Sequence, residues 1–400
     1  MKIEIPDFCL VVLAGSQAAA TTAFARKHFR AEEIVALDRA QTWHRLAGER
    51  LRRRKLTVID APDIDTQQRS ALVTLAREYH ARPIAIVLDP GGQGLAEHGA
   101  ETMEKDGFRT VFALPSPQVI EATAIERTRL AADQRHQQGP FDIIGDVHGC
   151  ADELEQLLRQ LGYGVTLTGE GEARRALTTA PGNRRAFFVG DLVDRGPRSP
   201  DVLRIVMAMV QAGHALCVPG NHDAKFVRWL SGRQVKLTHG LDRTVAQFEG
   251  ECAAFKAQVK TFLQSLVSHA WLADGRLAIA HAGIKEEMMG RSSGAVREFC
   301  LYGENTGEHD EFGLPVRYHW AAEYRGSTQI VYGHTPVPQA EWLNNTLCVD
   351  TGCVFGGKLT ALRWPENEIV SVPAARVYSE PIRPLGHPPV RPGTLTGAQG

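Results

Sequence analysis

Residues 141–149 read FDIIGDVHG: a short apolar run, a glycine, and then an aspartate and a histidine two positions apart. The run is short enough for a strand that is buried on both faces, and the glycine lets the backbone turn sharply after it. In open α/β sheets, ligands bind at the carboxyl ends of the strands, so we expect polar side chains at such junctions to converge. The same junction recurs as RAFFVGDLVDRG at 185–196, as ALCVPGNHD at 215–223, and as the histidines His281 and His334 that follow strand-like runs.

These polar side chains are the ligand types of a divalent-metal centre. Two divalent ions about 3.5–4 Å apart can clamp a phosphate, activate a water and stabilise the leaving oxygen. Carboxylate, imidazole and amide oxygen together suit Mn²⁺ or a similar borderline ion better than Ca²⁺. One such motif alone is weak, because a single histidine at a strand end is more often a structural residue held by hydrogen bonds. All four motifs in order, each after a strand, favour a binuclear phosphoesterase site.

The first 138 residues alternate short apolar runs with helix-like stretches, which predicts a parallel α/β sheet. Residues 66–80 carry apolar side chains at helical spacing, and a polar, helix-prone stretch covers 117–138. That stretch ends at Gly139-Pro140, which we interpret as a domain boundary. The strand-like runs lie at 10–14, 34–37, 56–59, 84–88 and 111–114.

Residues 139–378 form a second predicted α/β domain. Its last two runs, 358–363 and 368–373, have no helix between them, which predicts an antiparallel pair. Residues 379–400 contain five prolines and four glycines, so we expect a disordered tail. The earlier strand-like runs lie at 141–145, 185–189, 215–219, 277–281, 329–333 and 346–350.

Charge and cysteine usage exclude several classes of protein. With 45 Lys+Arg against 46 Asp+Glu, the chain cannot hold nucleic acid by bulk positive charge. The seven cysteines are scattered and include no C-x-x-C pair, which fits reduced thiols better than a secreted disulfide framework. Residues 1–17 carry one lysine and an apolar run of five residues, so we expect neither a signal peptide nor a membrane span. We therefore expect a cytoplasmic protein.

The motifs GDVHG, GDLVDRG and GNHD, followed by the two histidines, resemble the phosphoprotein-phosphatase branch of the calcineurin-like metallophosphoesterases. Longer stretches are similar to the phosphatase module of the bacterial polynucleotide kinase-phosphatase (Pnkp) family of RNA repair, densely after Gly139 and only in patches before it. The resemblance implies a degenerate P-loop kinase-like parallel-sheet domain, followed by a calcineurin-like metallophosphoesterase α/β sandwich. The longer stretches are 291–326, 331–338 and 349–374.

The resemblance also implies a role for each matching residue. One metal ion would be held by Asp146, His148 and Asp191, and a second by Asp191, Asn221, His281 and His334, with Asp191 bridging the two. The implied cofactors are two divalent ions, Mn²⁺ first, with Ni²⁺, Co²⁺ or Fe as alternatives.

The catalytic roles come from the same resemblance. Arg195 would hold the phosphate oxygens with two parallel hydrogen bonds, which a lysine could not imitate. His222 would protonate the leaving oxygen, while Asp194 orients its imidazole and favours the charged form. Asp350 matches an acidic site residue of the family, and a carboxylate that only closes a strand-end turn is the alternative.

The first domain departs from the family pattern. A working P-loop reads G-x-x-x-x-G-K-[ST], whereas residues 15–22 read GSQAAATT, so that Thr21 replaces the lysine that neutralises nucleotide phosphates. Residues 90–106 contain no arginine, although active relatives carry an arginine-rich lid there. Asp38 lies where the kinase base would be, but a base without a nucleotide site has no function. We expect that kinase activity is lost and that ATP is not a cofactor.

The leading hypothesis is a phosphoesterase that removes 2′- or 3′-terminal phosphates, or opens 2′,3′-cyclic ends, on RNA or nucleotides. A protein serine/threonine phosphatase and a dinucleoside-tetraphosphate hydrolase remain alternatives, because the metal ligands contact only the phosphate. A non-catalytic RNA-repair adaptor that binds through its first domain is the alternative from another class. The expected partner is a phosphorylated RNA end or nucleotide, and no membrane is expected. A homodimer, separate RNA-repair proteins and a ligase supplied by another chain are left open.

Overall fold

The fold is described from a computed structural model, which describes residues 1–37 and 42–383. Contacts divide the chain into two compact units. The first comprises Met1–Asp133 and Gly290–Val296, and the second comprises Gln134–Met289 and the chain from Arg297 onward. The predicted boundary at Gly139 lies close to this division and stays a prediction. Asp38 and most of the predicted tail lie outside the described residues.

The first part of the chain alternates strands and helices as the sequence pattern predicts. Its strands are β1 (Lys2–Pro6), β2 (Cys9–Gly15), β3 (Ile34–Ala36), β4 (Thr57–Asp60), β5 (Arg82–Leu88), β6 (Thr110–Leu114), β7 (Ala124–Thr128) and β8 (Asp133–Gln134). Its helices are α1 (Ala18–His28), α2 (Thr42–Arg52), α3 (Thr66–Glu78), α4 (Leu95–Lys105) and α5 (Pro117–Ala122).

The central sheet of the first unit is parallel and has the strand order β3-β4-β2-β5-β6. Leu10 and Val12 of β2 join one hydrophobic cluster, whereas Val11 and Leu13 join another. The strand is therefore covered on both faces, which explains why its sequence is a continuous apolar run. The predicted parallel α/β sheet is confirmed.

One part of this sequence was assigned wrongly. The helix-prone stretch 117–138 is helical only in α5, which ends at Ala122, and β7 then pairs in parallel with β1. In this pair Ile125 lies opposite Ile3, and Ile3 is fully buried. Pairing with a strand more than a hundred residues away decides the conformation here, and local propensity does not carry that information.

The degenerate P-loop differs from a phosphate-binding loop in its backbone. β2 ends at Gly15 and α1 begins at Ala18, so the helix includes residues that a P-loop keeps in its loop. The N–H groups of Ala20 and Thr21 both donate to the carbonyl of Gln17. A P-loop uses such N–H groups to cradle phosphates. The kinase-like ancestry of this unit and the loss of ATP binding stay predictions.

The second part of the chain contains the remaining elements. Its strands are β9 (Phe141–Ile144), β10 (Gly164–Thr168), β11 (Arg175–Thr179), β12 (Arg185–Phe188), β13 (Ala215–Cys217), β14 (His269–Leu272), β15 (Leu277–Ala280), β16 (Asn305–His309), β17 (Pro315–Arg317), β18 (Gln329–Tyr332), β19 (Trp342–Leu343), β20 (Thr346–Cys348), β21 (Asp350–Thr351), β22 (Lys358–Trp364) and β23 (Glu368–Pro373). Its helices are α6 (Ala151–Gln160), α7 (Ser199–Gln211), α8 (Asn221–Leu230), α9 (Leu241–Glu249), α10 (Ala253–Ser265), α11 (Gly294–Tyr302) and α12 (Trp320–Glu323).

The second unit is built on two sheets. One has the order β13-β12-β9-β22-β21, with β23 antiparallel to β22 as predicted, and the other contains β14, β15, β18, β19 and β20. Phe141 and Leu362 of the first sheet and Ile279 and Val331 of the second belong to one fully buried cluster between the sheets. The opposite face of the first sheet packs against a helical layer that includes Leu154 and Val202. This arrangement is an α/β sandwich.

The directions of the parallel strands bring their carboxyl ends to the same end of both sheets. β9, β12 and β13 run parallel in the first sheet, and β15, β18 and β20 run parallel in the second. Each of these six strands is followed closely by a polar residue that the sequence singles out. Within residues 1–37 and 42–383, no helix combines the length and the apolar character that crossing a bilayer needs.

Candidate metal centre

The polar side chains that follow the six parallel strands lie at one site, and most of them are buried. Asp146, His148, Asp191 and His281 are each at most 4% exposed. Burying so many ionisable groups is costly unless they are paired or coordinate a metal ion. The predicted ligands are Asp146 and His148 after β9, Asp191 after β12, Asn221 at the start of α8, His281 after β15 and His334 after β18.

The backbone at this site is strained. Five site residues other than glycine adopt positive φ angles, a region that costs about 1–3 kcal/mol per residue and clusters at functional sites. They are His148 (44°), Asp191 (48°), Asp194 (77°), Arg195 (68°) and His334 (73°). Glycines let the strand ends approach closely, since a Cβ at Gly220 would overlap Asp191 Oδ1 and one at Gly333 would overlap Asp146 Oδ1.

Asp191 lies between two groups of ligands. Its Oδ2 is 3.4 Å from His148 Nε2, and its Oδ1 is 3.4 Å from His281 Nε2. The backbone N–H of His222 donates to Oδ1 at 3.0 Å and fixes the carboxylate. Each oxygen of one carboxylate therefore faces a different imidazole, which is the arrangement of a ligand shared by two ions.

One group of ligands is centred on His281. Its Nδ1 donates to the carbonyl of Val189 at 3.1 Å, so its Nε2 carries the lone pair. This Nε2 lies 3.0 Å from Asn221 Oδ1 and 3.1 Å from His334 Nδ1. Asp191 Oδ1 completes the group, and Asn221 Oδ1, an amide oxygen, carries no proton to donate. Such a convergence of lone pairs fits a divalent cation.

The other group lies around His148. Its Nδ1 donates to the carbonyl of Val193 at 2.8 Å, which leaves Nε2 as the ligand atom. Asp146 accepts the backbone N–H of His334 at 3.0 Å, and the charge of Asp191 acts on it. The structure thus brings His148, Asp191, Asn221, His281 and His334 together and places Asp146 beside His334, while the division into two ion sites stays a prediction.

Burial dominates the electrostatics of the site. Burial, followed by the carboxylates of Asp350 and Asp191, raises the pKa of Asp146 well above its usual range. Burial and then Asp223 raise the pKa of Asp191 well above its usual range. Burial lowers the pKa of His281 to about 3, which keeps its ring neutral and able to bind a metal ion.

His222 and Asp194 form the predicted pair. His222 Nδ1 lies 2.6 Å from Asp194 Oδ2, and its Nε2 points toward Asp191 Oδ2 at 4.0 Å. Asp194 therefore orients the imidazole as predicted. Burial and then Arg195 lower the pKa of His222 well below its usual range, and the expectation that Asp194 favours the charged imidazole stays a prediction. Burial also raises the pKa of Asp194 to about 7.

Arg195 and Asp350 lie at the same site. Arg195 Nη1 is 2.5 Å from His148 Nε2, so the guanidinium is next to a metal-binding atom, where a phosphate would bind. Asp350 Oδ1 accepts the N–H of Gly352 at 3.0 Å, and burial raises its pKa to about 6. Asp350 thus closes a turn, as the alternative holds, and its charge also acts on Asp146.

Two residues of the site were not singled out from the sequence. Asp223 is fully buried and accepts the N–H groups of Gly220 at 2.8 Å and Leu192 at 3.0 Å, which ties two ligand-bearing loops together. The motif GNHD contains it, so the signal was present. Arg317 donates to Thr335 beside His334 at 3.2 Å, and burial lowers its pKa to about 10. No motif marks Arg317.

The residues present fit a pair of divalent ions. Asp191, His281 and His334 each offer a ligand atom, and these atoms lie within 4.8 Å of one another. The donor set of carboxylates, imidazoles and one amide oxygen suits a borderline divalent ion.

Divalent metal should therefore stabilise the folded protein. An ion at a hundred times its Kd contributes about 2.7 kcal/mol, or an increase in Tm of roughly 5–10 °C for a domain of this size. We expect Mn²⁺ added to the metal-free protein to produce such an increase in a thermal melt. The Asp191→Asn variant should lose most of it, and an equal increase in that variant would contradict the assignment of Asp191 as a shared ligand.

Several known proteins are similar to this chain. The family model described as calcineurin-like phosphoesterase matches residues 139–367. The bis(5'-nucleosyl)-tetraphosphatase PrpE (asymmetrical) of Anoxybacillus flavithermus is 48% identical over 250 residues, which are 61% of this chain and 99% of that protein. Proteins of the same name from Geobacillus sp. and Halalkalibacterium halodurans are 44% and 46% identical, covering 60% and 61% of this chain and 96% and 98% of theirs. The family match contains every residue of the metal centre.

Proposed function

Since the chain belongs to the calcineurin-like phosphoesterase family and is a metal-dependent phosphoester hydrolase, we propose that it hydrolyses bis(5'-nucleosyl) tetraphosphates asymmetrically. In this reaction one phosphoanhydride bond breaks, water supplies the new oxygen, and the products are a nucleoside monophosphate and a nucleoside triphosphate. The support comes from the relatives named above, which carry that activity in their names and are matched over almost their whole length.

The geometry of the metal centre is compatible with this chemistry. Two divalent ions bound at this site would polarise the phosphate and activate a water. The single observation that carries the proposed site is Asp191, whose two oxygens each face a different metal-binding imidazole at 3.4 Å. Arg195 would hold phosphate oxygens, and His222 would give a proton to the leaving oxygen.

The RNA-end phosphatase hypothesis has weaker support. The relatives named above are tetraphosphatases, and none of them supports the finer resemblance to the polynucleotide kinase-phosphatase family. The metal ligands cannot separate the two hypotheses, because both substrates present a phosphate to the same ions. Mn²⁺ as the preferred ion and a cytoplasmic location also stay proposals, while a homodimer and RNA-repair partners stay predictions without support.

A side-by-side assay decides between the substrates. With Mn²⁺ present, we expect diadenosine tetraphosphate to be cleaved to AMP and ATP with a kcat/KM at least about a hundredfold above that for a 3′-phosphorylated oligonucleotide or a phosphopeptide, a difference of about 2.7 kcal/mol in transition-state binding. Product identity would be read by anion-exchange chromatography. Preferred turnover of the oligonucleotide would replace the proposed function with the RNA-end hypothesis.

A further inference from the structure

A second feature of the phosphoesterase unit is a cavity of about 510 Å³, within the usual size range of small-molecule sites. We call it the aromatic pocket. Its aromatic lining is Tyr318, Trp320 and Tyr324, and its charged lining includes Lys285, Glu304 and Glu323. None of these residues belongs to the metal centre described above.

Trp320 connects this pocket to the metal centre. Its Nε1 donates at 3.2 Å to the carbonyl of Ala282, the residue after the ligand His281. Its ring centroid lies 5.0 Å from that of Tyr332, which is two positions before the ligand His334. The pocket therefore adjoins the carboxyl ends of β15 and β18, where two ligands of the same ion begin.

Two consecutive residues at the end of β17, Arg317 and Tyr318, lie between the metal centre and the aromatic pocket. Arg317 donates to Thr335, next to His334, and its positive charge interacts with the carboxylate of Asp191. Tyr318, the next residue, lines the pocket, and its N–H donates to the carbonyl of Glu304 at 2.9 Å. A phosphate chain that reaches the metal centre past Arg317 would thus leave its nucleoside beside Tyr318.

The chemistry of the pocket suits a base and not a phosphate. Tyr318 is 48% exposed, so its ring offers a face for stacking. Stacking of a base on an aromatic side chain is worth about 1–3 kcal/mol. Glu323 is exposed and Glu304 is paired with Lys285 at 2.8 Å, so carboxylates are present to accept N–H groups of a base. The pocket lining has four glutamates against Lys285 and Arg325, and this excess of negative charge disfavours a phosphate.

We propose that the aromatic pocket binds the base and ribose of one nucleoside of the substrate, stacked on Tyr318, while the phosphates extend to the metal centre. This inference deepens the proposed function and rests on it for the identity of the substrate. The nucleoside could also belong to an RNA end, and the substrate assay above distinguishes the two sources.

The test compares AMP with inorganic phosphate as competitive inhibitors of the metal-loaded, full-length enzyme, using turnover of p-nitrophenyl phosphate as the readout. Both inhibitors present a phosphate to the metal centre, but only AMP carries a nucleoside. In Tyr318→Ala we expect the ratio of Ki for AMP to Ki for phosphate to rise about tenfold, as the loss of one stacked base predicts. Tyr318→Phe keeps the ring and should restore the original ratio.

Phe312→Ala is the matched control, because Phe312 lies in the segment between β16 and β17, is 38% exposed and does not line the pocket. Its ratio should equal that of the unaltered enzyme. An unchanged ratio in Tyr318→Ala, or an equal change in Phe312→Ala, would overturn the pocket assignment. If the enzyme does not cleave diadenosine tetraphosphate but the ratio of the two Ki values still rises in Tyr318→Ala, the proposed function is overturned and the assignment of the pocket is kept.

Discussion

Asp191→Asn should lower kcat for phosphoester hydrolysis by at least about a thousandfold, the equivalent of roughly 4 kcal/mol of transition-state stabilisation. The substitution keeps the shape of the side chain but removes the charge that two ions would share. Asp191 is the residue whose oxygens face both His148 and His281, so one substitution impairs both ion sites. The measurement is steady-state turnover at saturating Mn²⁺, together with the metal content of the dialysed protein.

The same variant should be more stable than the unaltered chain when metal is absent. Asp191 is buried beside other carboxylates, and Asp223 is the first charge that raises its pKa. Removing one of these charges removes repulsion that only a bound cation offsets, so we expect a higher Tm in the metal-free state. Asp242→Asn, at an exposed position of α9, is the control and should change neither kcat nor Tm. Retention of more than a tenth of kcat in Asp191→Asn would refute the shared-ligand assignment.

His222→Gln should lower kcat by about 10²–10⁴-fold on an alkyl phosphomonoester and leave the metal content unchanged. An alkoxide needs a proton as it leaves, and His222, oriented by Asp194 at 2.6 Å, is the group placed to supply it. A nucleoside triphosphate leaves as a stable anion, so the loss on diadenosine tetraphosphate should be smaller. The comparison of the two substrates is the measurement that separates a proton donor from a residue that only shapes the site.

His309→Gln is the control for this variant, because His309 is an exposed histidine of β16. It should leave turnover of both substrates unchanged. Equal losses on both substrates in His222→Gln would indicate that His222 contributes to binding or to the shape of the site, and the proton-donor assignment would then be wrong. A fall in the metal content of His222→Gln would also contradict the proton-donor assignment.

Local sequence was sufficient to place the candidate ligands at the ends of strands. Each ligand follows a short apolar run that is buried on both faces, and the rule that parallel strands bind ligands at their carboxyl ends then brings distant residues together. Asp146 and His334 are 188 positions apart, yet the N–H of His334 donates to Asp146 at 3.0 Å. Recognition of strand ends did not require knowledge of the packing.

Other parts depend on contacts that a linear pattern does not contain. The pairing of β7 with β1 replaced a predicted helix, because the burial of Ile3 against a distant strand outweighs local propensity. Arg317 and Tyr318 lie in a segment without a buried apolar run, and their importance comes from the neighbours that the fold provides. The lowered pKa of His222 likewise results from its burial and from the charge of Arg195, and the motif GNHD does not predict it.

The metal ligands come from both sheets of the sandwich, and this has a consequence for how the protein is made. The set Asp146, His148 and Asp191 follows strands of the first sheet alone, whereas the second set also needs His281 and His334. A nascent chain therefore cannot capture both ions until residues as far along as His334 have been synthesised and the sheets have packed. The buried layer between the sheets, with Phe141 and Ile279 on opposite sides, consequently sets the spacing between the two groups of ligands. Uptake of the second ion would then follow the packing of the two sheets, and a chain that folds only halfway would lack part of that ion's ligand set.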